Sequence, residues 1–283
     1  MDIKLSIHRI IIEFTKVSMD FWNSYFSDNV MLVFNTYPKI GKYGFKYRMN
    51  LEMSSNGAKA DVKYQPYHEG KQKAYSLWVE INPKYLDDFK FMLDELACEA
   101  REVNFVLCDV AFDIPVGMRN VFIDSNYGRN MNLYEGTRYY GKRGDSNKHG
   151  YCRIYDKAIE QKEKHNIDMG GQLTRVEMVY KPDSSDRFTM LELYSRPPKF
   201  NRLYSYRVLD SPLEMKPQKR AVILAVQAGL ISLKEFKRDY KKGLLSDLEN
   251  QLHIDFDQLA IEQWAEVITP VLVPIYELRK LEF

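Results

Sequence analysis

Apolar and polar residues alternate through most of the first two-thirds of the chain. Residues 4–17 are β-branched and partly alternating, and 30–36, 45–54 and 75–81 repeat the pattern. A period of two predicts half-buried strands. Asn82-Pro83 then opens a predicted helix over 82–100, with Asn as N-cap and Pro in the first turn. Residues 103–114 are largely apolar and read as a central strand with two embedded acids, Asp109 and Asp113. After a loop-rich stretch come short strands at 137–142 and 151–155, a charged helix at 156–165, a Gly170-Gly171 break and a last strand at 172–180. Beyond Pro182 the period changes to that of helices, at 216–228, 232–241 and 255–267, with Ser232 and Glu235 spaced as a capping box. The expectation is an α+β fold: an antiparallel sheet with flanking helices over 1–183, then a mostly helical region over 184–283.

Composition supports a folded chain: 283 residues, 45% hydrophobic and 28% charged. Lys plus Arg is 41 against 39 Asp plus Glu, which excludes a histone-like, uniformly basic protein. The balance hides segregation. Residues 137–164 carry eight Lys/Arg against four Asp/Glu, 196–220 seven against two, and 241–283 four against eight. The 20 Tyr and 15 Phe suit half-buried strands as well as contact surfaces. Cys98, Cys108 and Cys152 are odd in number and too widely spaced for a disulfide framework or a C-x-x-C metal site, so a reduced, cytoplasmic setting is expected. No signal-peptide pattern opens the chain, and no apolar run nears the ~20 residues of a membrane span, so no membrane association is expected.

Two groups of residues point to chemistry. In 137–160, basic side chains (Arg138, Lys142, Arg143, Lys148, Arg153, Lys157) interleave with Tyr139, Tyr140, Tyr151 and Tyr155. Cations for phosphates and rings for bases are what a single-stranded nucleic-acid groove needs; a solvated β-hairpin with a charged tip has the same composition. The second group is acidic. Asp109 and Asp113, four apart on a strand, share a face, and Glu177 sits on another apolar strand. Carboxylates in such places need partners. They would either bind Mg²⁺ or Mn²⁺ together or form salt bridges, for example to Arg153 or Arg175. The five His form no metal pair, and neither G-x-x-x-x-G-K-[ST] nor G-x-G-x-x-G occurs.

In order and spacing these segments resemble the replication-initiation factor family of Gram-positive rolling-circle plasmids, which includes staphylococcal plasmid initiators and certain conjugative-element relaxases. The matching motifs are Tyr140-Gly141-Lys142-Arg143 with Ser146, then Arg153-Ile154-Tyr155-Asp156-Lys157-Ala158-Ile159-Glu160; an upstream Asp109-Val110-Ala111-Phe112-Asp113; and a downstream Arg175-Val176-Glu177. They cover about residues 1–181. The chain departs from the family in a loop one residue longer before Ser146, in Lys142 where Ser is usual, and in Leu107-Cys108 where an Arg commonly precedes the first acid.

The resemblance implies a distant HUH-nuclease-like sheet and a nicking and strand-transfer domain over 1–183. It leaves 184–283 for origin recognition or dimerisation. It implies a tyrosine nucleophile that stays joined to a 5′ phosphate and leaves a 3′ hydroxyl. By position that nucleophile is Tyr155, with Tyr140 the second candidate. Arg153 and Lys157 would hold the phosphate or phenolate, and Asp109, Glu177 and Asp113 a Mg²⁺ or Mn²⁺ ion. Arg138, Lys142, Arg143, Ser146 and Lys148 would contact DNA. Implied partners are a single-stranded or cruciform origin, a host replicative helicase and a second copy of the chain. A relaxase acting at a transfer origin, or a non-catalytic DNA-binding protein, would share the scaffold. The chain starts at its first strand, without the N-terminal DNA-binding domain of many such relaxases, and this favours replication.

Overall fold

The computed structural model describes residues 1–28, 32–34, 47–53, 56–67, 74–125, 129, 131–142, 145–209, 215–228, 230–249 and 251–276. In chain order the elements are β1 (Lys4–Ser18), α1 (Met19–Asp28), β2 (Leu32–Phe34), β3 (Tyr47–Met53), β4 (Lys59–Tyr67), β5 (Ala74–Ile81), α2 (Lys90–Glu99) and β6 (Glu102–Ile114). Next come β7 (Val121–Ser125), β8 (Met131–Tyr134), β9 (Thr137–Tyr140), β10 (Cys152–Asp156), α3 (Lys157–His165) and β11 (Thr174–Tyr180). The last are β12 (Tyr204–Val208), α4 (Pro217–Gln227), α5 (Arg238–Ser246), β13 (Leu252–His253) and α6 (Phe256–Leu272). The expected α+β class is present. The region after 183 is not mostly helical: β12 and β13 lie in it, beside α4, α5 and α6. Tyr204, Tyr206 and Val208 are buried on β12, and so short an alternation is overshadowed by the helical signal that follows it.

The chain forms two compact units, each assembled from separate stretches. One comprises Ile7–Asp109, Lys181–Arg196 and Trp264–Phe283. Its strands run in the order β2-β3-β4-β5-β1-β6, and the pairings from β2 through β5 to β1 are antiparallel. Ile10, Ile12 and Phe14 of β1 and Leu77 and Val79 of β5 are buried, as are Leu93 and Leu96 of α2. β4 is a strand that periodicity alone did not reveal. Ala60, Val62 and Tyr64 point inward between Asp61, Lys63 and Gln65, but the charges and Pro66 dilute the signal. Asn82 does cap, accepting the Lys84 N–H at 3.1 Å, but it starts a 3₁₀ turn, and the α-helix begins only at Lys90.

The other unit comprises Met1–Ser6, Val110–Tyr180 and Pro197–Gln263. The second half of β6 starts a strand series β6-β11-β10-β9-β8, and a smaller antiparallel sheet has the order β13-β12-β7. β7 and β8 fall in the stretch expected to be loop. The core of this unit is aromatic. The Phe112 and Phe256 rings lie 4.2 Å apart, and Tyr206 meets Phe256 edge-on at 4.1 Å. Buried hydroxyls are matched: Tyr204 donates to the Gly150 carbonyl at 2.6 Å and Tyr206 to the Met178 sulfur at 2.8 Å. Ser232 and Glu235 do form a capping box, around a 3₁₀ turn over Leu233–Glu235 that precedes α5. Among the described residues no helix is long and apolar enough to cross a membrane.

Phe256 is fully buried between Phe112 and Tyr206. Phe256→Ala is expected to cost about 3–5 kcal/mol, read as a lower urea midpoint with an unchanged slope.

Candidate active site

The site rests on the pairing of β10 with β11. Antiparallel register sets Arg153 opposite Glu177 and Tyr155 opposite Arg175. Directly opposed residues share a face and alternate residues return to it, so all four side chains project from one side of the sheet. On β9, Tyr139 lies opposite Arg153 and joins the same face.

The Tyr155 hydroxyl donates to Glu177 Oε1 at 2.7 Å. Glu177 Oε2 is 2.6 Å from the Arg153 guanidinium. The Glu177 side chain is only 6% exposed, whereas Arg153 is 38% exposed, so the cation is the accessible end of the pair. Behind Tyr155, Arg175 makes a two-pronged pair with Asp113, Nε to Oδ1 and Nη2 to Oδ2, both at 2.6 Å. Burial drives the Tyr155 pKa well above its ordinary value; the charge and hydrogen bond of Glu177 add to this, and Arg175 opposes it. The phenol is therefore protonated at rest, and its proton points at a carboxylate. Burial pulls the Arg175 guanidinium down, but its hydrogen bonds and charge interaction with Asp113 outweigh this and leave it above the usual value.

Lys157 opens α3, and its ammonium lies 5.9 Å from the centre of the Tyr155 ring. Asp156 caps the helix by accepting the Ile159 N–H at 3.0 Å, which turns the chain immediately after Tyr155. Glu160, one helical turn on, holds Lys157 at 2.5 Å and Lys164 at 3.2 Å. Burial alone would raise the Glu160 carboxyl; Lys157, then Lys164 and Gln161, override it and push it down to about 2.

The remaining expected residues are placed as follows. Tyr140 lies on the opposite face of the sheet, 6% exposed, its hydroxyl donating to the Ile123 carbonyl at 3.3 Å. Arg138, expected at a DNA surface, is 5% exposed and donates to the carbonyls of Val121 and Met118, each at 3.0 Å. Both point inward because they oppose the buried Cys152 and Ile154 of β10. Lys142, Ser146 and Lys148 are exposed on the loop from β9 to β10, Lys148 being paired with Asp145 at 2.9 Å. That loop joins the Cys152 end of β10, about 10 Å along the strand from Tyr155. Gly141 bounds it with φ +122°, and a Cβ there would come within 2.9 Å of the Tyr151 ring. Arg143 lies outside the described residues.

Asp109 belongs to the other unit, where Arg9 binds it with both prongs at 2.9 and 3.0 Å. The three acids expected to share a metal are thus each matched to a different arginine. Among the described residues no three His, Cys, Asp or Glu side chains gather as a metal site. In this arrangement they do not fit Mg²⁺ or Mn²⁺, which need several oxygens converging on one point.

Two members of the site were not singled out from sequence: Arg175 as the cation beside Tyr155, and Glu160 as the anchor of Lys157. Both carried a signal. Arg175 is two residues from Glu177 on an alternating strand, and Glu160 is three residues beyond Lys157 on a helix. No protein-family model and no curated protein matches the chain.

Because the Glu160 pKa is depressed in the folded state, its contribution to stability is present above about pH 4.5 and is lost as pH falls toward 2. Glu160→Gln is expected to flatten the acid limb of the stability curve in that window, measured by urea unfolding from pH 5 to pH 2.

Proposed function

We propose that this chain is a tyrosine-dependent DNA nicking and rejoining enzyme that initiates rolling-circle replication of a plasmid or phage. The observation that carries the reading is the Tyr155 hydroxyl, hydrogen-bonded at 2.7 Å to a buried carboxylate with an accessible arginine on its other oxygen. A phenol is a poor nucleophile at neutral pH unless a base takes its proton. Glu177 is placed to be that base. As Tyr155 Oη bonds to phosphorus, the bond from phosphorus to the 3′ oxygen breaks. The phenol proton passes to Glu177, and the departing 3′ oxygen takes a proton from water. The product is a 5′-phosphotyrosine and a free 3′ hydroxyl. The reverse reaction rejoins the strand without ATP, in keeping with the lack of a phosphate-binding loop motif.

The resemblance to plasmid initiators supplies the biological setting: an origin in single-stranded or cruciform form, a homodimer, and a host replicative helicase recruited to the nick. A conjugative relaxase would use the same chemistry at a transfer origin. A non-catalytic DNA-binding protein is favoured by one observation, that Asp109, Asp113 and Glu177 all have an arginine partner, which is how a purely structural network looks.

The test uses labelled single-stranded oligonucleotides tiled across the chain's own replicon, incubated with protein and Mg²⁺ or Mn²⁺ and run on denaturing gels. A covalent adduct at Tyr155, identified by mass spectrometry, is expected. Tyr155→Phe should lose it by more than about 10³-fold while keeping DNA binding, and Tyr140→Phe should keep it. Normal adduct formation by Tyr155→Phe would sink the assignment, and absence of any adduct would leave the DNA-binding scaffold.

A further inference from the structure

We propose that positive charge at the Tyr155 phosphate is supplied by two arginines rather than by a divalent ion: Arg175, fixed by Asp113, and Arg153, released by Glu177 as the reaction proceeds. This rests on the nicking reading above.

The argument begins with the acids. A divalent cation would need Asp113 and Glu177 as ligands, but each is already joined to a guanidinium at 2.6 Å. Guanidinium groups stay charged at any working pH and match phosphate oxygens with two parallel donors. The two pairs differ in kind. Asp113 and Arg175 are bound at two points, with side chains 19% and 9% exposed, so this guanidinium is held rigidly at the strand position opposite Tyr155. Arg153 is 38% exposed and is held through Glu177 Oε2, while Glu177 Oε1 faces the Tyr155 hydroxyl.

The proton transfer links these contacts. When Tyr155 Oη attacks, Oη–P forms, P–O3′ breaks, the phenol proton moves to Glu177, and the 3′ oxygen takes one from water. Glu177 becomes neutral at that moment and loses most of its attraction for Arg153. The guanidinium then shifts its charge toward the phosphate oxygens. One proton thus activates the nucleophile and delivers a cation to the new phosphotyrosine. Rejoining reverses it: Glu177 returns the proton to the leaving phenol and recaptures Arg153. Asp113 touches neither phosphate nor tyrosine in this scheme; it is a positioning residue for Arg175.

Full-length protein is assayed for adduct formation on the same oligonucleotides in EDTA, and in Mg²⁺ or Mn²⁺, with rate and apparent KM measured separately. The expected result is an adduct in EDTA at a rate within about threefold of the metal arm. Arg153→Met and Arg175→Met should each lower the rate by about 10²-fold with KM little changed. Asp113→Asn should lower it less, with Asp113→Glu restoring much of the loss and neither variant creating a need for metal. Thermal melts identify any variant that fails to fold, and Arg175→Lys serves as a milder second substitution. An adduct confined to the metal arm, or undiminished rates in both arginine variants, overturns this proposal alone. No adduct in either arm overturns it together with the nicking reading.

Discussion

Glu177 is a carboxylate on a strand that is otherwise buried, and its need for partners organises the face around it. A carboxylate this enclosed has to be matched by a cation or a hydrogen-bond donor, and breaking such a pair leaves an uncompensated charge costing about 3–5 kcal/mol. Here one oxygen takes Arg153 and the other takes the Tyr155 hydroxyl. The register of β10 against β11 brings both partners within reach. The same requirement therefore favours this strand register and sets a phenol against a carboxylate. Asp113 and Arg175 repeat the principle next to it, with a neighbouring strand supplying the acid.

Alternation across the sheet sorts its polar residues onto two faces. Arg153 and Tyr155 face one way; Ile154 and Cys152 face the other, with Arg138 and Tyr140 beside them. Arg138 and Tyr140 are thus separated from Arg153 and Tyr155 by strand alternation alone. Arg138 and Tyr140 satisfy backbone carbonyls of β7 and the turn before it. A slip of one residue would exchange the two sets, so the buried aromatic core beneath β9 and β10 also fixes which side chains share the face of Tyr155 and Glu177.

Much of this was legible in the sequence. The stretches that became β1, β3, β5, β9 and β10 were readable from alternation, β6 and β11 as apolar runs buried on both faces, and α3, α4 and α6 because each carries a helical period. Tyr155, Arg153 and Glu177 were readable as unusual: polar groups crowded onto apolar strands. The short strands β7, β8 and β12 were not, since four or five residues of alternation cannot be told from loop or helix flank. The sequence also left open whether the acids meet a metal or arginines. Both options use the same residues, and only distances separate them.

Local periodicity, set by side chains that must face in or out, determines from the sequence alone that this is an α+β chain, with polar and aromatic residues crowded onto the strand near residue 155. Which tyrosine meets a carboxylate and which is buried against a backbone carbonyl is decided by tertiary structure, because it depends on strand register and on what lies under each face. The same holds for the partners of Asp109, Asp113 and Glu177. They are contributed by strands far apart in sequence, and a charge in the interior pairs with whatever cation the fold brings to it.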